Sequence, residues 1–251
     1  MTDFNNKVVL VTGGSRGLGR AMVEGFAKAG AKVIIVSRKL ENCELLAKRI
    51  VEQGGEALAI GANTSDCDAL DQVVAEAIAH FGRVDILINN AGINVAMGPL
   101  TDLTSAQFDK MYQVNLRGPW YLASRLAPHM AKNGGGVVIN VLSVAGLKPP
   151  AWMGFYAATK AGLEAMTKTM AQEWAPMNIR VNALAPGSFH SDLTDGSIAA
   201  IDGMEQGMID ANLIKRIADS EEILNPVFYL ASEQYTTGIT LVADGGMLAN
   251  G

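Results

Sequence analysis

The chain contains 251 residues, carries a formal net charge of −5 and is 49% hydrophobic. A chain of this length fits one or two domains, and we predict a single domain over residues 1–251. The negative charge and the lack of a basic run argue against nucleic acid or an anionic membrane as a partner. No apolar stretch approaches the ~20 residues of a spanning helix, and the first strand begins too early for a signal peptide.

Strand-like and helix-like runs alternate along the sequence. Short apolar or β-branched runs predict strands at residues 8–12, 31–36, 57–62, 86–89, 137–142, 180–185 and 239–242. Helices are predicted at 20–28, 41–53, 67–81, 105–132, 157–174 and 221–231. This alternation predicts a doubly wound, Rossmann-type α/β fold, a parallel sheet with helices on both faces. Pro119 and Pro226 fall inside predicted helices, where each removes a hydrogen bond and is expected to kink the helix.

The first predicted strand runs directly into a glycine-rich turn and a helix. The turn is Gly13-Gly14-Ser15-Arg16-Gly17-Leu18-Gly19. Its glycines permit positive φ and let the backbone approach a pyrophosphate, whose charge would meet the free N–H groups of the helix. A second strand then ends where the adenine ribose lies in such a unit. The order of these elements predicts a dinucleotide-binding site.

The residues after the second strand indicate which dinucleotide binds. A carboxylate there would hold the 2′-hydroxyl of NAD and repel a 2′-phosphate. The sequence instead offers Ser37, Arg38 and Lys39, with Arg16 in the preceding turn. Guanidinium groups bind phosphate oxygens in a bidentate manner. We therefore predict NADP(H) rather than NAD(H); the alternative is that these cations are merely exposed residues near the next helix.

Tyr156 and Lys160 lie four residues apart in a predicted helix, so their side chains share one face. An ammonium beside a phenol favours the phenolate and would lower the pKa of Tyr156 below its usual value of about 10. A tyrosine tuned in this way can exchange a proton with an alcohol as a general acid or base. Alone, the pair would also fit two snorkelling surface residues.

Together these motifs resemble those of the short-chain dehydrogenase/reductase family over nearly the whole chain. Residues 12–19 match its TGxxxGxG turn, residues 89–92 its NNAG motif and residues 156–160 its YxxxK motif. Ser143 precedes Tyr156 by 13 residues, and Asn115 falls where the family has its catalytic asparagine. The resemblance implies an oxidoreductase that transfers a hydride between NADP(H) and a ketone or secondary alcohol.

The resemblance also implies a role for each site residue. The catalytic set is Asn115, Ser143, Tyr156 and Lys160. Tyr156 would move the proton, Ser143 would hydrogen-bond the substrate oxygen, Lys160 would also hold the nicotinamide ribose, and Asn115 would hold a water that leads to solvent. The expected cofactor contacts are Gly13, Ser15, Arg16, Gly17, Leu18, Gly19, Ser37, Arg38, Lys39, Asn63, Thr64, Asn90, Ala91, Gly92, Tyr156, Lys160, Pro186, Gly187, Phe189 and Ser191. Asn63 departs from the family pattern, in which many members have an aspartate that contacts adenine.

The segment 186–215 is long and rich in Ser, Asp, Gly and Met. We predict a loop that covers the substrate, since long loops are usually functional or mobile and the family has its substrate-covering loop here. Apolar residues in this segment and before Tyr156 would line an apolar pocket, or else pack on the core or a subunit contact: Trp152, Met153, Phe155, Phe189, Met204 and Met208. The expected substrate is a ketone or secondary alcohol without strong charge.

Cys43 and Cys67 form no metal-ligand spacing, so we predict unpaired thiols, no metal site and a cytoplasmic location. A homotetramer is also predicted. The resemblance points to one, and the predicted helices over 105–132 and 157–174 have more apolar surface than one sheet face should cover.

Three other functions fit parts of the sequence. A 3-oxoacyl-(acyl-carrier-protein) reductase is the nearest, although Ala175-Pro176-Met177-Asn178 lacks the arginine often found there in carrier-dependent members. A sugar-nucleotide epimerase relative would usually be longer and space its glycines as GxxGxxG. A cofactor-sensing protein without turnover would have no need of the Ser143-Tyr156-Lys160 set.

Overall fold

The computed structural model describes residues 3–250, apart from the side chain of Leu193. Within these residues seven parallel strands form one sheet in the order β3-β2-β1-β4-β5-β6-β7. The strands are β1 (Val8–Thr12), β2 (Lys32–Ser37), β3 (Ala57–Gly61), β4 (Ile86–Asn89), β5 (Gly136–Val141), β6 (Ile179–Pro186) and β7 (Thr240–Ala243). The predicted Rossmann-type fold is confirmed, and each predicted strand end lies within one residue of the observed one.

Helices pack on both faces of this sheet. In the described part of the chain they are α1 (Gly17–Lys28), α2 (Leu40–Glu52), α3 (Cys67–Phe81), α4 (Ser105–Tyr112), α5 (Gly118–Lys132), α6 (Gly154–Trp174), α7 (Asp192–Ala200), α8 (Met204–Ala211) and α9 (Leu224–Ser232). A 3₁₀ turn, Ser220–Ile223, precedes α9, so the last predicted helix is α-helical only in its second part.

The predicted helix over residues 105–132 is helical throughout, but a π turn at Gln113–Arg117 lies between α4 and α5 and changes the hydrogen-bond pattern. Pro119 has no N–H group and cannot donate to the carbonyl four residues earlier. The N–H of Gly118 instead bonds to the carbonyl of Gln113, five residues back. Such wide turns are frequent at functional sites, and this one contains the candidate residue Asn115.

Two apolar clusters fill the layers between the sheet and its helices. Val9 and Val11 of β1 pack in one cluster with Phe26 of α1, while Val8 and Leu10 pack in the other. Burial on both faces is typical of parallel strands and explains why β1 reads as a continuous apolar run. The edge strand β7 differs, since its residues are half-buried or exposed.

The segment 186–215, predicted as a loop, contains the helices α7 and α8. The hydroxyl of Ser191 accepts a hydrogen bond from the N–H of Thr194 (3.2 Å) and so caps α7. Gly203, with φ of 76°, separates the two helices in a left-handed conformation. The polar, glycine-containing composition that suggested a loop therefore reflects helix caps and the break between them.

Both cysteine thiols are free, with Cys43 buried and Cys67 half-buried. Over residues 3–250 the structure contains no helix long and apolar enough to cross a bilayer. Within the same residues, no three His, Cys, Asp or Glu side chains are grouped closely enough to hold a metal ion.

Candidate active site

The glycine-rich turn joins β1 to α1 at the carboxyl edge of the sheet. Gly13 and Gly17 have φ of 64° and 50°, which a residue with a Cβ adopts only with strain. A Cβ at Gly19 would overlap the carbonyl of Gly13, so glycine is required for α1 to start this close to the turn. The first residues of α1 have no side-chain cap, and their N–H groups are those that a pyrophosphate would bind.

Thr12 and Asn90 brace this turn against the end of β4. The Thr12 hydroxyl accepts hydrogen bonds from the N–H groups of Asn90 and Ala91, each at 3.1 Å. In return the Asn90 amide donates to the carbonyls of Thr12 (3.0 Å) and Gly13 (3.3 Å). Thr12 is absent from the predicted site residues, although its place at the start of the TGxxxGxG motif was the signal for it.

The ends of β2 and β3 border the glycine-rich turn and an open cleft, where the adenosine of a dinucleotide would bind. The Ser15 hydroxyl donates to that of Ser37 (2.9 Å), which ties the glycine-rich turn to the end of β2. Asn63 lines an open cleft beside Arg38, and its side-chain oxygen accepts from both the N–H and the hydroxyl of Ser65. That oxygen is therefore engaged within its own loop.

The exposed cations Arg16, Arg38 and Lys39, here called the cation edge, follow β1 and β2 at the carboxyl edge of the sheet. Arg38 lines the cleft beside β3. Arg16 instead forms an ion pair with Asp192 at the start of α7, with 3.1 Å between Nη1 and Oδ2. The sequence predicts cations at this edge, but it does not predict that Arg16 pairs with a carboxylate 176 residues away.

Asn115, Ser143, Tyr156 and Lys160, here called the tyrosine cluster, lie near the carboxyl ends of β4 and β5. Tyr156 is 8% exposed and Lys160 only 3%, so both sit inside the protein rather than on a helix surface. The Lys160 ammonium donates to the carbonyl of Val141 (2.8 Å) and lies 5.7 Å from the centre of the Tyr156 ring. Ser143 is half-buried, and its hydroxyl accepts from the N–H of Ala145 (3.2 Å).

Burial decides the proton affinities in this cluster. It raises the pKa of Tyr156 above its usual 10.0, because the phenolate would be desolvated, while a hydrogen bond with Ser143 acts in the opposite direction. Burial likewise lowers the pKa of Lys160 to about 8. The predicted lowering of the Tyr156 pKa is wrong for the protein alone, because burial of the phenol raises this pKa and the Lys160 ammonium bonds to Val141 instead.

Asn115 is held rigidly by the backbone of the segment after the NNAG motif. Its Oδ1 accepts from the N–H of Ile93 (2.9 Å), and its Nδ2 donates to the carbonyl of Ile93 (2.8 Å) and the hydroxyl of Thr159 (3.1 Å). A Cβ at Gly92 would lie 3.3 Å from the Lys160 nitrogen and 3.6 Å from the Asn115 oxygen. Gly92 therefore leaves open the space between these two polar groups.

The remaining predicted contacts are spread along β6 and the segment that follows it. Pro186 ends β6, and a Cβ at Gly187 would lie 2.6 Å from the Cα of Asp244, so the chain passes close to the turn after β7. Ser191 uses its hydroxyl to cap α7. The ring of Phe189 is 6% exposed and packs in the core, which does not support its predicted contact with substrate.

The apolar residues before Tyr156 differ in burial. Met153 and Phe155 are half-buried and pack around Tyr156. Trp152 is 65% exposed and has φ of 70°, an unfavourable conformation for a bulky residue. Met204 and Met208 are half-buried in α8.

Comparison with known proteins agrees with this geometry. The family model for short chain dehydrogenases matches residues 7–201. The chain belongs to this family. A 3-oxoacyl-[acyl-carrier-protein] reductase of Staphylococcus epidermidis is 35% identical over 245 residues, which cover 96% of this chain and 99% of the relative. L-rhamnose 1-dehydrogenase (NAD(P)(+)) of Azotobacter vinelandii is 34% identical and covers 98% of each chain.

Solved structures of similar proteins share the fold of this short-chain dehydrogenase. A gluconate 5-dehydrogenase from Burkholderia cenocepacia, crystallised with NADP and tartrate, superposes with a TM-score of 0.93 at 30% identity. The match covers 98% of this chain and 97% of that one. As a member of the family, the protein is an NAD(P)-dependent oxidoreductase that acts on CH–OH or keto groups, as the sequence predicts.

Proposed function

We propose that this dehydrogenase transfers a hydride between NADP(H) and an uncharged ketone or secondary alcohol, with Tyr156 as the general acid or base. The observation that carries the proposal is the buried pair of Tyr156 and Lys160 beside Ser143, at the carboxyl end of β5. When bound, the nicotinamide would supply or accept the hydride, so the protein has to orient the substrate and move one proton.

Ketone reduction requires a proton donor, and the buried phenol suits that task. With its pKa above 10.0, Tyr156 is protonated at neutral pH and can donate to the developing alkoxide. The Ser143 hydroxyl, half-buried at the same edge, would donate a hydrogen bond to the substrate oxygen where charge grows.

A proton lost from Tyr156 has to be replaced from solvent. Lys160, with a pKa of about 8, can both hold and release a proton near neutral pH. The space that Gly92 leaves between Lys160 and Asn115 is the place where a water would link this ammonium towards solvent.

The preference for NADP(H) rests on the cation edge. β2 ends in Ser37 without a carboxylate, followed by Arg38 and Lys39, both exposed. An uncapped α1 start and the close Gly13–Gly19 packing fit a pyrophosphate, and the cations fit a further phosphate on the ribose. One similar structure contains NADP, which supports this choice.

The second candidate is reduction of 3-oxoacyl groups on a carrier protein, which the relative from Staphylococcus epidermidis performs by name. Residues 175–178 contain no arginine to dock an acidic carrier. Met153 and Phe155 instead offer an apolar wall beside Tyr156. Met204 and Met208 are half-buried in the segment 186–215, which would cover a free substrate.

The deciding experiment measures NADPH oxidation with two sets of substrates. The first is a panel of uncharged ketones, and the second is a set of 3-oxoacyl groups, each tested free and attached to a carrier protein. Turnover of free ketones with little gain from the carrier supports the proposal, and activity confined to carrier-bound substrates supports the second candidate. Binding of NADPH without any turnover across the panel would favour a cofactor-sensing protein instead.

We also propose a homotetramer in the cytoplasm. Support comes from the incompletely covered edge strand β7 and from exposed aromatic side chains such as Trp120, which is 40% exposed on α5. Sedimentation at micromolar protein tests the assembly: a single species near the chain mass of 26.5 kDa would contradict it.

A further inference from the structure

The ion pair between Arg16 and Asp192 connects the glycine-rich turn to the helix that follows β6. Arg16 precedes α1 and Asp192 is the first residue of α7. A Cβ at Gly17 would lie 3.3 Å from the Cβ of Ser191, so the start of α7 rests directly on the turn. The two charged side chains are 65% and 53% exposed, and the nitrogen–oxygen distance is 3.1 Å.

A phosphate on the adenine ribose of a bound dinucleotide would be a second anionic partner for Arg16. The hydroxyl contact between Ser15 and Ser37 places the turn next to the end of β2, where the adenine ribose lies in a dinucleotide-binding crevice. An exposed ion pair is weak and is screened by salt. A phosphate carries more charge than a carboxylate and accepts a guanidinium in a bidentate manner.

We propose that Asp192 is a cofactor-specificity residue that competes with the 2′-phosphate of NADP(H) for Arg16. Binding of NADP(H) draws Arg16 away from Asp192, while the packing of Ser191 against Gly17 keeps the start of α7 on the turn. NAD(H), which lacks this phosphate, leaves the ion pair in place. The inference rests on the proposed preference for NADP(H), and it adds a carboxylate to the groups that would set that preference.

The first test compares the affinities of Asp192→Asn for NADPH and NADH, measured by titration of the bound nicotinamide fluorescence at low salt. Removing the competing carboxylate should lower the Kd for NADPH by about two- to fivefold, the range expected for one exposed ion pair, and leave the Kd for NADH unchanged. Asp202→Asn is the matched control, because it removes the same charge between α7 and α8. The control should leave both Kd values unchanged.

Arg16→Ala separates this inference from the proposed cofactor preference. The variant should bind NADPH at least tenfold more weakly, and adding Asp192→Asn to it should change neither Kd further. An equal gain from Asp192→Asn in both backgrounds, an equal change for both cofactors, or weaker NADPH binding in the single variant would each overturn the role of Asp192.

The failures are distinguishable by the unmodified enzyme. Equal affinity for NADPH and NADH there would contradict the proposed preference itself. A clear preference for NADPH that persists in Arg16→Ala would keep the proposed function, resting on Arg38, and reject the competition at Arg16.

Discussion

The tyrosine cluster and the cation edge lie along one edge of the sheet but are built in opposite ways. Tyr156 and Lys160 are buried and Asn115 is fixed by three hydrogen bonds to neighbouring residues. Arg16 and Arg38 are exposed, and Arg16 is held by a weak, solvent-facing ion pair. Buried groups act in a fixed geometry with shifted proton affinities, whereas exposed charges are screened and can change partners. The proposed chemistry therefore depends on packing, and the proposed cofactor preference depends on a few exposed charges.

Removing the buried hydroxyl of Tyr156 should have the largest effect on activity. Tyr156→Phe should lower kcat by about 10²- to 10⁴-fold, the usual contribution of a general acid, because no other group would donate the proton. The Kd for NADPH should change little, since the phenol adds little cofactor affinity. Steady-state turnover and fluorescence titration measure the two effects.

Tyr112→Phe is the matched control for that variant. It removes a phenol hydroxyl from a side chain that is 42% exposed on α4, and it should leave kcat unchanged. If Tyr156→Phe retained full activity, the proton donor would have to lie outside the tyrosine cluster.

The exposed side of the comparison is tested by reversing one charge. Arg38→Asp should reduce the NADPH preference tenfold or more, because a charge-assisted hydrogen bond of about 1.5–3 kcal/mol is replaced by repulsion of the 2′-phosphate. The kcat for the better cofactor should stay close to that of the unmodified enzyme. The measurement is kcat/KM for NADPH and NADH in parallel.

Lys28→Asp makes the same charge change at the end of α1 and serves as the control. Should Arg38→Asp alter both cofactors equally, Arg38 would be an exposed cation without a part in recognition.

Burial of Lys160 should make the free energy of unfolding depend on pH, which is a smaller effect. Its pKa is about 8 in the folded protein and 10.5 when unfolded, so the unfolded chain binds more protons between these values and stability rises with pH there. Relative to Lys160→Met, the unmodified protein should gain about 1.5 kcal/mol of unfolding free energy from about pH 8 to about pH 9.5. Urea unfolding at both pH values measures the gain.

Lys168→Met is the control, because Lys168 is exposed and paired with Glu164 on the same helix. Its stability difference from the unmodified protein should not change over this interval. A flat difference for Lys160→Met as well would mean that the buried ammonium has an ordinary proton affinity.

Local sequence patterns predicted the sheet well, because burial of a strand and the shape of a tight turn each restrict the residues within that same segment. Doubly buried strands such as Val8–Thr12 require continuous apolar runs, and the glycine-rich turn requires residues without a Cβ. The helical state of the segment 186–215 was missed, although the cap at Ser191 is also a local signal. Its serine, aspartate and glycine residues fit a loop equally well.

The parts of the site that the sequence did not predict depend on contacts between distant segments. Ile93 fixes Asn115 through its backbone groups, which carry no side-chain signature. The raised pKa of Tyr156 follows from burial rather than from its spacing to Lys160. Asp192, the partner of Arg16, is 176 residues away along the chain, so no short sequence motif contains both residues.

The π turn at Gln113–Arg117 has a geometric consequence for the whole segment from α4 to α5. It adds one residue relative to an α-helical ladder, and one residue corresponds to about 100° of rotation about the helix axis. Met111, before the π turn, therefore packs near Tyr156, and Leu122, after it, packs on the sheet. Deleting a single residue within 113–117 would put the two faces back in phase, and one of them would lose its neighbours.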